Sequence, residues 1–230
     1  MARRLLPPFE RLWQRHETLY QEVFASALER LAAKDSLSGD EDALSEMLCP
    51  ILSSVCSEIY KSRNVDISTP YWEPPIQPVS DDELKGGKKR NRPDFTCKLR
   101  NPWFNSPGEF EIPLHIECKR VGKPTSPTWI LNKNYVTNGI ARFDSITHEY
   151  GKRAPSGIMI GYVISMEPEA ISTEVNQYQK SHLPDNPSLD FSFEGSSVSQ
   201  TKQSLQRKHV SPYEFGLFHL WVDLRGKYTQ

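Results

Sequence analysis

The cleanest pattern along the chain runs from Glu111 to Lys119. Ile112, Leu114, Ile116 and Cys118 occupy every second position, with His115, Glu117 and Lys119 between them. A period of two puts the two sets on opposite sides of a strand. Phe95, Cys97 and Leu99 alternate in the same way with Asp94, Thr96 and Lys98, and the Pro/Gly/Asn-rich connection between the two runs reads as a turn. Elsewhere the period lengthens. Phe9, Leu12, Trp13, Leu19, Tyr20, Val23, Phe24, Ala27, Leu28 and Leu31 recur at three- and four-residue intervals, which predicts an amphipathic helix over 9–33 that begins just after Pro7 and Pro8. A second helix is predicted over 40–61, capped by Asp40 or Ser38 and kinked at Pro50, with acidic residues crowding its positive end. Residues 129–150 read mainly as helix, with Ile140, Phe143 and Ile146 inward, and 167–182 as another. The runs GIMIGYVIS (157–165) and FGLFHLWVDL (215–224) are apolar at successive positions, as in strands covered on both faces. Shorter strands are expected over 65–72 and 189–193, the latter inside a polar stretch rich in Ser, Gln, Asn and Pro.

Composition adds limits to this picture. A chain of 230 residues can bury a substantial core and suits one domain with an appended element, here 1–37 as a helical extension and 38–230 as the main domain. The formal net charge of −1 gives no global attraction to a polyanion, so any such attraction is local. Cys49, Cys56, Cys97 and Cys118 have no paired metal-ligand spacing and read as reduced core cysteines. No apolar run approaches a membrane span and the start, MARRLLPPFE, lacks the apolar region of a signal peptide, so a cytoplasmic location is expected.

The candidate chemistry lies on the polar faces of the two alternating strands. If they pair, Asp94 approaches Glu117, and Lys119 stands one pleat repeat, roughly 7 Å, beyond Glu117. Carboxylates offer hard oxygen ligands to a divalent cation that binds through few protein groups and keeps several waters. Such a cation lowers the pKa of a bound water and offsets charge in phosphoryl displacement, while a lysine positions the water or stabilises the developing charge. Pro93-Asp94 followed by Glu117-Cys118-Lys119 on an apolar strand resembles the PD-(D/E)XK phosphodiesterases, the restriction-endonuclease-like superfamily. The resemblance implies a three-layer α/β/α core with a mixed central sheet, here with an N-terminal helical extension. It also implies a Mg²⁺- or Mn²⁺-dependent nuclease in which Asp94 and Glu117 hold metal, the Cys118 carbonyl adds a ligand, and Lys119 is catalytic. A helix ahead of the catalytic strands often supplies a further acid in that superfamily. The stretch EDALSEML makes Glu41 or Glu46 that acid.

Further positive charge surrounds these residues. Lys85, Lys88, Lys89, Arg90 and Arg92 lie beside Gly86 and Gly87 and end next to Asp94, a natural clamp for a phosphate backbone. Lys133, Asn134, Asn138 and Arg142 are spaced to share one side of the predicted 129–150 helix and to approach a nucleic acid. Lys202, Arg207, Lys208 and His209 form a second basic group, read as a solvated loop, with contact to DNA as the alternative. Trp103 and Phe104 either cover the core or stack on a base. His16, His219 and Asp223 read as structural. The expected function is a DNA endonuclease, either a homodimeric restriction-type enzyme or the nuclease subunit of a bacterial defence or mobile-element complex with a helicase, ATPase or sensor partner. The alternatives are a ribonuclease using the same site and a non-catalytic nucleic-acid-binding or assembly subunit. Neutralising Lys88, Lys89, Arg90 and Arg92 together is expected to weaken DNA binding and flatten its dependence on salt. Unchanged affinity and slope in a salt titration would remove this loop from the interface.

Overall fold

The computed structural model describes residues 7–76, 91–104 and 107–229, so Lys88, Lys89 and Arg90 lie outside it. Its elements in chain order are α1 (Pro7–Ala32), β1 (Leu37–Ser38), α2 (Glu41–Arg63), β2 (Tyr71–Trp72), β3 (Phe95–Arg100), a single helical turn at Pro107–Phe110, β4 (Glu111–Val121), α3 (Leu131–Thr137), a 3₁₀ turn at Ile140–Asp144, β5 (Ser156–Val163), α4 (Pro168–His182), β6 (Val198–Gln206), β7 (Glu214–Asp223) and β8 (Tyr228–Thr229). Six strands form one sheet in the order β2-β3-β4-β5-β7-β6. β4, β5 and β7 run parallel, while β2, β3 and β6 are antiparallel to their neighbours. Mixed pairing of this kind needs helical crossovers between the parallel strands, and these coat the sheet.

The strand alternation sorts the core into two layers. On one face Phe95, Cys97, Leu114, Ile116, Cys118, Ile158, Ile160, Leu220 and Val222 pack with α1 and α2. On the other, Met159, Val163, Leu217 and Trp221 pack with Tyr135 and Val136 of α3, Phe143 of the 3₁₀ turn, and Ile171 and Val175 of α4. The architecture is therefore three layers, α/β/α, around a mixed sheet. α1 belongs to the first layer throughout its length: Val23, Phe24, Ala27 and Leu28 are fully buried, and Phe24 meets Phe95 edge-on at 5.6 Å between ring centroids. β1 and β8 pair in parallel, joining residues 37–38 to 228–229. Among the described residues no helix is long and apolar enough to cross a membrane.

Both long helices form where their periodicity places them. Asp40 caps α2 by accepting the Ala43 N–H at 3.0 Å, Glu41 and Asp42 follow in the first turn, and the helix runs through Pro50 to a left-handed Asn64. Three expectations fail. Residues 129–150 do not form one helix, because Asn138 and Gly139 break it after α3. A Cβ at Gly139 would lie 2.4 Å from the Tyr135 carbonyl and 2.6 Å from Met159, so the tight turn there needs the missing side chain. Ile146, expected inward, is exposed beyond that break. Residues 189–193 form no strand; Leu189 and Phe191 are buried as irregular chain, with Phe191 stacked on Trp221 at 4.1 Å. The strand of that region is β6, whose polar sequence VSQTKQSLQ suits a sheet edge that buries only Val198, Gln203 and Leu205.

Three histidines are sealed in the two layers. His16 hydrogen-bonds the Cys97 carbonyl at 3.3 Å, His115 Nδ1 accepts the Gly151 N–H at 3.0 Å, and His219 Nδ1 pairs with the Tyr135 hydroxyl at 2.7 Å. Burial lowers their pKa values to about 4, about 3 and about 3 respectively. Below the ordinary value of 6.5 the unfolded chain protonates these rings and the folded chain does not, so their contribution to stability is present above that pH and is lost as pH falls towards 4. The three ring resonances are expected not to titrate between pH 7 and 5 in NMR spectra. A titration midpoint near 6.5 at any of them would overturn the assignment.

Candidate active site

The site forms where the β3–β4 ladder stops. The last pair is Phe95 with Ile116, and β4 continues to Val121 against β5 alone. Along an antiparallel edge, alternate N–H groups point to the same neighbour, so the Cys118 and Arg120 amides face the side that β3 has left. Each buried amide needs an acceptor. Asp94, one residue before β3, supplies the first: its Oδ2 accepts the Cys118 N–H at 2.5 Å. Glu41, in the first turn of α2, supplies the second: its Oε2 accepts the Arg120 N–H at 3.0 Å. Two carboxylates thus complete the ladder in place of a strand, and both are fixed in position by backbone.

Lys119 lies between them. Its Nζ is 2.7 Å from Glu41 Oε1, 2.7 Å from Glu117 Oε1, 2.6 Å from the Cys118 carbonyl and 4.0 Å from Asp94 Oδ2. Gly139 permits the approach of the α3 turn, since a Cβ there would lie 3.3 Å from Lys119 Cγ. Arg142, on the 3₁₀ turn, ion-pairs with the same oxygen of Glu117, and Glu117 Oε2 has no hydrogen-bond partner. The face of β4 that alternation marks as polar is therefore not solvent-exposed: His115, Glu117 and Lys119 are 3%, 0% and 6% exposed. An ordinary surface ion pair would not be enclosed in this way.

Three carboxylates against two cations leave an excess of negative charge in a dry setting. Burial pushes Glu117 up to about 8, helped by the like charge of Asp94 and only partly offset by Lys119 and Arg142. Asp94 is raised by burial to about 6, against the pull of Lys119 and the Cys118 amide. Lys119 moves up as well, because the attraction of Glu117, Glu41 and Asp94 exceeds its desolvation. The two partners cannot both hold a proton and form the ion pair. The geometry favours the ammonium as the permanent charge, since four oxygens converge on it.

Among the described residues no three His, Cys, Asp or Glu side chains converge closely enough to hold a metal by themselves; the carboxylates converge on the lysine instead. The donor set nevertheless suits a hard cation. It consists of carboxylate and carbonyl oxygens, and one buried oxygen, Glu117 Oε2, lacks a partner. Asp94, Glu117 and the Cys118 carbonyl are the groups that would hold such an ion, with Glu41 adjacent.

Of the residues singled out in the sequence, Asp94, Glu117, Lys119 and Glu41 are brought together, while Glu46, about 1.4 helical turns beyond Glu41, is exposed on another side of α2. Arg142 lies in the cluster as a partner of Glu117. Lys133 and Asn138 are exposed but no longer share a continuous helix side with it. Arg92 is exposed, and its carbonyl accepts the Tyr150 hydroxyl at 2.7 Å. Arg207, read as a solvated basic residue, is buried and donates to the Phe143, Tyr150, Gly151 and Pro212 carbonyls. Trp103 and Phe104 are half-exposed rather than covering the core. Tyr150, raised in pKa by burial first and then by the nearby charges of Glu117 and Asp94, carried no sequence signal beyond the end of a predicted helix. The chain matches no family model, no curated protein and no solved structure.

Glu117 supplies a test of this electrostatics in the absence of added cations. A carboxyl with a raised folded-state pKa binds a proton in the folded chain that the unfolded chain has released, so stability falls as pH rises through the interval. In EDTA, wild type is expected to lose on the order of a few kcal/mol relative to Glu117→Gln between pH 5 and pH 8. Parallel stability profiles for the two proteins in urea denaturation would show that Glu117 is not held protonated by its surroundings.

Proposed function

We propose that the chain is a metal-dependent phosphodiesterase that cuts DNA internally. The observation that carries the reading is the convergence of Glu41, Glu117, Asp94 and the Cys118 carbonyl on one cationic nitrogen, at the point where β3 leaves β4. The three-layer architecture and the resemblance of Pro93-Asp94 and Glu117-Cys118-Lys119 to the PD-(D/E)XK pattern support it.

Mg²⁺ or Mn²⁺, when bound, supplies an acidified water and a counter-charge to the phosphate. The chain's own residues set the geometry. Asp94 is oriented by the Cys118 amide and Glu41 by the Arg120 amide, so neither carboxylate must reorganise from a solvated state. Lys119 stays protonated among its acidic partners and offers a fixed positive charge beside the reacting phosphate, positioning the attacking water and offsetting charge as the displacement proceeds. Arg142 shares Glu117 with Lys119 and so holds that carboxylate in line. In-line displacement of the 3′-oxygen leaves 5′-phosphate and 3′-hydroxyl ends. A target-selecting partner, a helicase, ATPase or sensor, fits a near-neutral chain that has little charge of its own for binding polymer non-specifically.

The test is incubation of the purified chain with supercoiled plasmid and with structured RNA, each with Mg²⁺, Mn²⁺ or EDTA. Metal-dependent nicking of the plasmid is expected, with Asp94→Ala and Lys119→Ala each slower by at least about a hundredfold, as for loss of one preorganised charge in an active site. Cutting at the wild-type rate by both variants would sink the site assignment, and cleavage of RNA alone would move the substrate to that polymer.

A further inference from the structure

One pleat repeat along β4 from Glu117, the same face of the sheet carries a second feature. Thr96 and His115 are cross-strand partners, and both line an open cavity beside the site, with Arg153 near His115. Its walls are Ile76, Phe110 and Pro113, and the Lys98–Glu111 ion pair, 2.9 Å long, stands at its edge. The cavity has a volume of about 160 Å³ and opens to solvent at its mouth.

Two polar groups in it are set up for recognition. Thr96 is 3% exposed, yet among the described residues its Oγ1 has no hydrogen-bond partner. A buried hydroxyl in this state is destabilising until something bonds to it. His115 Nδ1 accepts from the Gly151 amide, and burial keeps the ring neutral, so its proton sits on Nε2 and that nitrogen is a donor of fixed sense. The apolar side of the cavity ends in aromatic surface. Phe110 is 42% exposed and meets Phe104 edge-on at 5.1 Å, with Trp103 half-exposed nearby in the chain. A flat ligand with a polar edge fits this combination: the edge bonds at the floor while one face lies on Phe110. Nucleobases have that shape and chemistry, and base–aromatic stacking tolerates any base whereas hydroxyl and imidazole contacts select among them.

We propose that this cavity takes the base of an unpaired nucleotide beside the phosphodiester presented to Lys119, an inference that rests on the phosphodiesterase reading of the adjacent cluster. The base must be unpaired, because an edge engaged by a complementary strand cannot reach Thr96. The cavity thereby makes the chain selective for single-stranded or locally opened nucleic acid and for the identity of one base at the cut.

The full chain, in EDTA, is titrated with each of the four deoxynucleoside 5′-monophosphates and with ribose 5-phosphate, and followed by amide NMR shifts. At least one nucleotide is expected to bind about tenfold more tightly than the sugar phosphate, the margin that one buried hydrogen bond supplies, and to shift the Thr96, His115 and Gly151 amides. Thr96→Val, nearly isosteric, is expected to erase the preference among bases, and Phe110→Ala to weaken all four nucleotides alike without unfolding. Nucleotides that bind no better than ribose 5-phosphate, or a base preference unchanged in Thr96→Val, would overturn the proposal even if plasmid is still nicked. Base-selective binding in a chain that cuts no polymer would instead sink the phosphodiesterase reading and leave the base pocket standing.

Discussion

A strand that loses its neighbour must satisfy its amides in some other way, and β4 does so with carboxylates. Beyond the Phe95–Ile116 pair, the Cys118 and Arg120 N–H groups would be buried without acceptors; Asp94 and Glu41 fill those positions. Much else follows from this substitution. The acids are held by backbone; Glu41 turns its second oxygen to Lys119, and the same Asp94 oxygen that takes the Cys118 amide lies 4.0 Å from the Lys119 nitrogen. Removing either acid leaves an amide unsatisfied as well as a charge unbalanced. Structure and electrostatics are joined at the same atoms.

The helical layers then act as walls. The first turn of α2 presents Glu41 to β4, and the cap at Asp40 fixes where that turn begins. On the opposite face, the interruption at Asn138–Gly139 lets the chain turn over the Lys119 stem and return Arg142 to Glu117. A continuous helix from 129 to 150 would have carried Arg142 along a straight axis. The broken one delivers it into the cluster. The same layer encloses His219 and covers most of His115, which keeps both rings neutral.

Burial of like charges has a second consequence. Glu117 and Asp94 are both held above the ordinary carboxyl range, and Lys119 is held in its charged form by the same field. All three shifts run upward, because burial disfavours the charged carboxylates and each group feels neighbouring negative charge in a setting that water cannot screen. Glu117 is fully enclosed, and among the described residues its Oε2 has no hydrogen-bond partner.

The sequence by itself determined the alternation of β3 and β4, the two long amphipathic helices, the twice-covered strands β5 and β7, and the placing of Asp94, Glu117 and Lys119 on one side of the pairing strands. Local periodicity reports these because each element buries one face or both, and the side-chain repeat follows from backbone geometry alone. It left open whether Glu41 or Glu46 faces the cluster, since both stand in the same amphipathic helix and only the packing of α2 against the end of β4 separates them. It was misleading at 129–150, where a helical pattern continued through Gly139, and in 181–207, where an edge strand with polar residues on both faces has no period to read. Arg207 looked like a solvated charge because a run of basic residues carries no mark of burial; four carbonyls, from Phe143, Tyr150–Gly151 and Pro212, enclose it. Tertiary structure alone decided these points, because each depends on an acceptor, a clash or a covering surface supplied by residues far away along the chain.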